Sequence, residues 1–503
     1  MTAPAELEAA NAVTAAGNYR SILKSTSLIG GASVLNILIG MVKVKFVATL
    51  LGPSGVGLMS MYTQIAGLVS TVSGVGLSNS GVRQVAEAVG TGDGQQIART
   101  VFTLRRTVWL TGGIGMLIMV LFCIPIAELS FKSGKYALPI ALLGVTVLLS
   151  AITCGQACVL QGTRRIADLA KISILGAVNG TVISIPCFYL WGEQGIVVSL
   201  ILCSIASLFT SWWFARRVPI GAVKLPWSAI ACETRRLMVL GFSFMAASLV
   251  TMLSNYLIQI MLLHKFGINS IGIYQAAFSL SGILVGFVLG AMGTDYYPRL
   301  TAVIHDKDLV RQMVNEQSEI SILLALPALA AMMVCAPLVL RVFYAKSFID
   351  AVPILRWCLL GVLGRVFSWP LGFVVLARGN GRLFFITELI AATVHLAAIF
   401  SFTNLWGLKG AGIAFMALYA FYTVMMLSVV HRLAGIAWTR HTWHLALTST
   451  AAILILMLNS IFNKGLIAEW ATNIILLAVV SYFCIKHLFH KSGFKFNAKT
   501  SSL

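Results

Sequence analysis

Ionisable side chains inside long apolar runs are the residues of this sequence best placed to do chemistry. Lys43, Lys45, Arg341, Arg356, Arg365, Glu388 and His395 all stand among aliphatic and aromatic neighbours. A charge at the centre of a bilayer costs about 2.5–3.5 kcal/mol on insertion scales, so each must reach water or hold a partner. Cations at depth can bind an anionic group such as a phosphate. Arg365 lies twelve residues into its apolar run, about 18 Å along a helix and beyond reach of either membrane surface. A water-filled cavity or an anionic partner is the expected reason for it. Arg341 and Arg356 lie about a turn from the ends of their runs, where a long side chain can anchor among headgroups. Lys43 and Lys45 point about 200° apart on a helix, so one can face a cavity while the other snorkels.

Glu388 and His395 are seven residues apart and share one helix face. A polar track able to carry a proton is one reading, and interhelical hydrogen bonding is the other. Asn255 and Gln259, at i and i+4, can line a cavity or join two helices. His441 and His444 of "HTWH" offer two imidazoles without a third ligand, so no metal is expected. "GTGDG" (90–94) reads as a loop, and no GxxxxGK[ST] motif is present to hold ATP. The nine cysteines include no CxxC pair and read as small core residues. No cofactor is expected.

The elements that must position these residues follow from composition. The chain has 503 residues, of which 58% are hydrophobic and 10% charged, with a mean hydropathy of +0.91. A soluble fold needs about a quarter of its residues charged, so the fold class is an all-α integral membrane protein. About fourteen apolar stretches are long enough to cross about 30 Å of hydrocarbon. From the polar first nineteen residues no cleaved signal peptide is expected. Most of the 36 Lys and Arg residues fall on the side of the termini, and only Lys132, Lys135, Lys265, Lys346, Lys409 and Lys464 fall opposite. The positive-inside rule then places both termini in the cytoplasm. The formal net charge of +20 is accounted for by this topology and by anionic lipid, and no soluble domain exists to carry a nucleic-acid stripe.

An internal repeat organises the spans. "LLGPSGVGLMS" (50–60) recurs as "KFGINSIGIYQ" (265–275), and "LWGEQGI" (190–196) as "LWGLKGA" (405–411), both at an offset of 215. "QGTRRI" (161–166) pairs with "RGNGRL" (378–383) at an offset of 217. The period covers six helices, so the two lobes enter the membrane in the same sense, a parallel repeat typical of transporters. The expected division is a cytoplasmic tail (1–20), an N-lobe (21–216), a linker (217–236), a C-lobe (237–432), two accessory C-terminal helices (433–488) and a basic tail (489–503).

Three stretches carry a family resemblance. "VATLLGPSGVGLMSMYTQIAGLVSTVSGVGLSNSGVRQVAEA" (47–88) and "GIYQAAFSLSGILVGFVLGAMGTDYYPRLTAV" (272–303) resemble the openings of the two lobes of bacterial polysaccharide flippases. "VVLARGNGRLFFITELI" (374–390) resembles a helix-turn-helix of the members that handle enterobacterial common antigen, with Arg378, Arg382 and Glu388 at matching positions. The chain is thereby similar to the O-antigen and lipid-linked oligosaccharide flippase family of the multidrug/oligosaccharidyl-lipid/polysaccharide superfamily. Lys43 and Arg356 have no counterpart in it.

The resemblance implies a multi-pass protein of the bacterial inner membrane that moves undecaprenyl-diphosphate-linked oligosaccharide from the cytoplasmic to the periplasmic leaflet. That activity serves lipopolysaccharide, O-antigen or related polysaccharide biosynthesis. Lys45 and Arg365 are then the cations expected to bracket the diphosphate, which leaves Lys43 as the snorkeller. Asn255, Gln259, Arg83, Arg299 and Glu388 complete the candidate binding set, and Glu388 and His395 are the candidates for proton coupling. A polysaccharide polymerase and an export assembly are candidate partners. A drug or metabolite cation antiporter of the same superfamily is the alternative, although it would need buried acids where this sequence has mainly bases. A membrane glycosyltransferase or polymerase would need a sizeable periplasmic loop, and a scaffold would not hold ions at the midplane.

Overall fold

A computed structural model describes residues 3–219, 221, 227–462 and 466–492. The expected linker residues 220 and 222–226, Lys464 and the basic tail from 493 onward lie outside the described residues, as do the side chains of Arg20, Lys24, Arg235 and Arg236.

Among the described residues every regular element is helical. Lipid offers the backbone no hydrogen-bond partner, so a chain this apolar satisfies its amides within each helix. The chain divides into two compact units, Met1–Tyr256 and Leu257–Leu503. The first holds α1 (Ala3–Gly74), α2 (Leu77–Gly90), α3 (Gly94–Leu121), α4 (Cys123–Phe131), α5 (Ala137–Gly162), α6 (Ile166–Trp191) and α7 (Gly195–Ala215). Helix α8 (Trp227–Phe266) crosses the division. The second unit holds α9 (Ile268–Ala302), α10 (Lys307–Phe343), α11 (Ala351–Ala377), α12 (Gly381–Trp406), α13 (Lys409–Ala434), α14 (Arg440–Phe462) and α15 (Leu466–Ser492). Ten stretches among the described residues are long and apolar enough to cross a bilayer. Two of these, of 45 and 50 residues, are long enough to cross twice. The protein is an all-α, multi-pass membrane protein.

The breaks in these helices carry the repeat. Gly52 (φ 66°, ψ −166°) kinks α1, and Pro53 opens its second limb. Gly267 (φ 81°, ψ 176°) stands before α9. Both occupy a backbone region open essentially to glycine alone. Gly192 and Gly407, at φ 54° and 61°, cap α6 and α12 in the same way. The helix ends fall in step: α5 and α11 end at 162 and 377, α6 and α12 begin at 166 and 381, and these two end at 191 and 406. The offset is 215 at each of these ends, which corrects the 217 read from the third sequence match. That match aligned Gly162 with Gly379, whereas the backbone equates Gly379 (φ 70°) with Arg164 (φ 57°). A left-handed turn links the helices in both units, and the second unit alone places glycine there.

In the first unit α5 packs against α2, α3 and α7, while α6 packs against α1 and α7. Leu77, Val85, Val101, Leu104, Val108, Cys158 and Val159 form the apolar cluster that joins α2, α3 and α5. Asp93 of the expected 90–94 loop accepts the Gln95 amide at 2.8 Å and caps α3, as Asp306 caps α10. In the second unit α11 is central, packing against α9, α10 and α13 and more lightly against α12 and α14. The accessory helices α14 and α15 dock on α10.

Candidate functional site

The second unit brings three of the charged or aromatic candidates together around α11, α12 and α13. α11 is buried on nearly every face, with Leu363, Val366, Phe367 and Ser368 all buried, yet Arg365 among them is exposed. A mid-helix arginine in that setting opens onto space left uncovered by the neighbouring helices of its own unit. Its guanidinium carbon lies 6.0 Å from the centroid of the Tyr419 ring on α13, a cation–π distance. Tyr419 is followed at i+3 by Tyr422, their rings 6.2 Å apart. The Tyr422 hydroxyl donates to Oε1 of Glu388 on α12 at 2.7 Å. Arg365 and Glu388 thus flank one tyrosine pair without forming an ion pair with each other among the described residues.

Small residues set this geometry. A Cβ on Gly361 would lie 2.5 Å from Cδ1 of Phe415, and one on Gly364 would lie 3.0 Å from Cβ of Tyr419. Their glycines let α13 approach α11 closely enough for the tyrosine to reach Arg365. Thr423 adds a hydroxyl bond of 3.1 Å to the Gly364 carbonyl.

His395 faces the same helix, its ring centroid 6.0 Å from that of Phe415. It is buried, and its Nε2 finds no hydrogen-bond partner among the described residues. Glu388 and His395 therefore share the α13-facing side of α12, as their spacing requires, but only Glu388 meets a polar partner there. The Arg378 guanidinium donates to the Leu433 carbonyl and ties the end of α11 to the end of α13.

The remaining candidates are distributed. Lys45 is half-buried on the first limb of α1 and accepts at its carbonyl the Thr49 hydroxyl, 2.7 Å away. Lys43 turns toward α6, with Nζ 3.8 Å from the position of a Cβ on Gly180, a residue near the middle of that helix. Its ammonium therefore lies against the middle of α6. Gln259 is buried and Asn255 half-buried, one turn apart on α8. Arg83 pairs with Glu87 at 2.8 Å on α2, and Arg299 with Asp295 at 2.9 Å in the last turns of α9. Both pairs are exposed, with each partner one turn away.

One further expectation changes. Arg356 is 8% exposed and donates to the Ser460 carbonyl of α14 at 3.3 Å, so it is an interhelical group and not a headgroup anchor. His441 meets His487 of α15, Nε2 to Nε2 at 3.4 Å. No cluster of three metal-ligating side chains forms among the described residues. Tyr419, Tyr422, Gly361 and Gly364 escaped the sequence reading. Their signals were present as Gly-x-x-Gly immediately before Arg365 and Tyr-x-x-Tyr on α13.

A family model described as "Polysaccharide biosynthesis protein" matches residues 46–353. Among curated proteins the chain is similar to the lipid III flippase of Escherichia coli, at 22% identity over 418 residues, covering 80% of this chain and 96% of that protein. Among solved structures, lipid II flippase MurJ superposes with a TM-score of 0.70 at 12% identity, covering 94% of this chain and all of that one. An inward-facing multidrug-resistance MATE transporter superposes with a TM-score of 0.65 at 14% identity, covering 79% and 95%. At those identities the likeness is one of fold.

Proposed function

The chain belongs to the polysaccharide biosynthesis protein family, and on that premise we propose that it is a flippase for lipid-linked oligosaccharide. The proposed cargo is an undecaprenyl-diphosphate-linked repeat unit of O-antigen or a related polysaccharide. It passes by alternating access from the cytoplasmic to the periplasmic leaflet of the inner membrane, both termini lying in the cytoplasm. Arg365 and, from the first unit, Lys45 are the cations assigned to the diphosphate, with Asn255 and Gln259 as polar groups toward the glycan. Glu388 is assigned to coupling, and His395, sealed against Phe415, is the weaker candidate. Arg83 and Arg299, each exposed and paired within its own helix, complete the proposed binding set.

The observation that carries this reading is the exposed Arg365 in the middle of an otherwise buried α11, held beside Tyr419 and free of a carboxylate among the described residues. An unneutralised guanidinium at that depth suits an anionic cargo. A cation antiporter would place acids in its stead, and among the described residues Glu388, hydrogen-bonded to Tyr422, is the acid that shares the tyrosine pair with this arginine. Deleting the gene tests the assignment. The expected result is accumulation of undecaprenyl-linked oligosaccharide and loss of the surface polysaccharide, both reversed by the intact chain. Unchanged polysaccharide together with new sensitivity to cationic drugs would favour the antiporter.

A further inference from the structure

We propose that the groove between α3 and α7, floored by α5, binds an anionic diacyl phospholipid whose phosphate is held by Arg105 and Arg216. The groove encloses about 750 Å³, within the size range of ligand sites. α5 packs against both walls, so it forms the floor. On α7 the lining residues Ile205, Leu208, Phe209, Trp212 and Arg216 recur at helical spacing and form one stripe. That stripe runs about 16 Å at 1.5 Å per residue. From α3, Arg105 and Trp109 face it. Trp109, Phe209 and Trp212 are all exposed, an aromatic wall of the kind acyl chains pack against.

Both arginines line the groove, Arg216 at the C-terminus of α7 and Arg105 in the half of α3 nearer Gly94. The positive-inside count assigns both to the cytoplasmic face. The Arg216 guanidinium lies 4.9 Å from the Trp212 centroid and 3.7 Å from that of Trp213. Such stacking orients the fork while leaving its edge N–H groups available to phosphate oxygens. Among the described residues neither arginine is paired with a carboxylate. The floor makes no competing demand, since the Gln156 carbonyl accepts the Ser211 hydroxyl and Gly155 lets Val108 close within 2.8 Å of where its Cβ would lie. Two cations above an apolar, aromatic-walled trough match an anionic headgroup above acyl chains. This site is independent of the cargo assignment.

The test uses the full chain purified into nanodiscs of phosphatidylethanolamine and phosphatidylglycerol, with retained lipids read by native mass spectrometry after release into detergent. The wild type should retain phosphatidylglycerol over phosphatidylethanolamine. Arg105→Gln/Arg216→Gln should lower that preference by about tenfold or more, given roughly 1 kcal/mol for each basic residue near a membrane. Leu208→Trp, which fills the trough and leaves both charges in place, should displace the lipid as well. Both variants are checked by thermal unfolding in phosphatidylethanolamine alone, where they should match the wild type. Equal retention by the double variant, no selective retention by the wild type, or retention of a polyprenyl diphosphate in place of phospholipid would each overturn the proposal.

Discussion

At the scale of single residues, the charges were easy to find and their partners were not. Arg365 and Glu388 stand out in the sequence because an ion in lipid is costly, whereas Tyr419 and Tyr422 look like ordinary apolar content until α13 is laid against α11 and α12. Tyr422→Phe removes the 2.7 Å bond to Glu388. Hydrogen bonds to charged groups contribute about 1.5–3 kcal/mol, so thermal unfolding should register a loss of that order. Glu388→Gln keeps an acceptor for the tyrosine and removes the acid. If Glu388 couples transport to protons, this variant should fold normally but lose the dependence of export on the proton gradient; an unaltered dependence would exclude it. Arg356 illustrates the limit of counting residues from a helix end. Its position suggested a headgroup anchor, but α14 covers that face and takes its guanidinium at Ser460. Arg356→Ala, which leaves that carbonyl unpaired, should therefore destabilise the chain by about 1–3 kcal/mol, as measured by unfolding in detergent.

At the scale of elements, the repeat was visible because glycine is the residue that tolerates the kinks at 52, 192, 267 and 407. The misregistered third match arose where that rule lapses, since Arg164 adopts the left-handed turn that Gly379 adopts in the second unit. Gly52→Ala and Gly267→Ala meet no neighbour within 4 Å, so their cost is that of the backbone alone, about 1–3 kcal/mol each. Gly361→Ala instead drives a Cβ to 2.5 Å from the Phe415 ring and should cost about 1–3 kcal/mol through packing. It should also move Tyr419 away from Arg365, so export should fall further than that of the Gly52 variant at matched expression. The accessory pair is also clarified. Thr442 at the start of α14 bonds both Asn315 and the buried Glu319 of α10, at 2.9 and 3.1 Å. This clamp is not legible in the sequence, because Thr442 lies more than a hundred residues from its two partners.

At the scale of the whole molecule, composition alone points to a multi-pass helical membrane protein, and the parallel repeat agrees with the fold it shares with MurJ and MATE structures. The candidate site depends on side chains from α11, α12 and α13, and these only the folded chain assembles. We propose that Arg365, at mid-helix in the second unit, meets the diphosphate of a lipid-linked oligosaccharide. The most direct measurement reconstitutes the purified chain in proteoliposomes carrying a labelled polyprenyl-diphosphate oligosaccharide and follows its exposure to an impermeant lectin or enzyme. Wild-type protein should expose the cargo, Arg365→Ala should not, and Arg365→Lys should restore part of the rate. Wild-type flipping by correctly inserted Arg365→Ala would contradict the account.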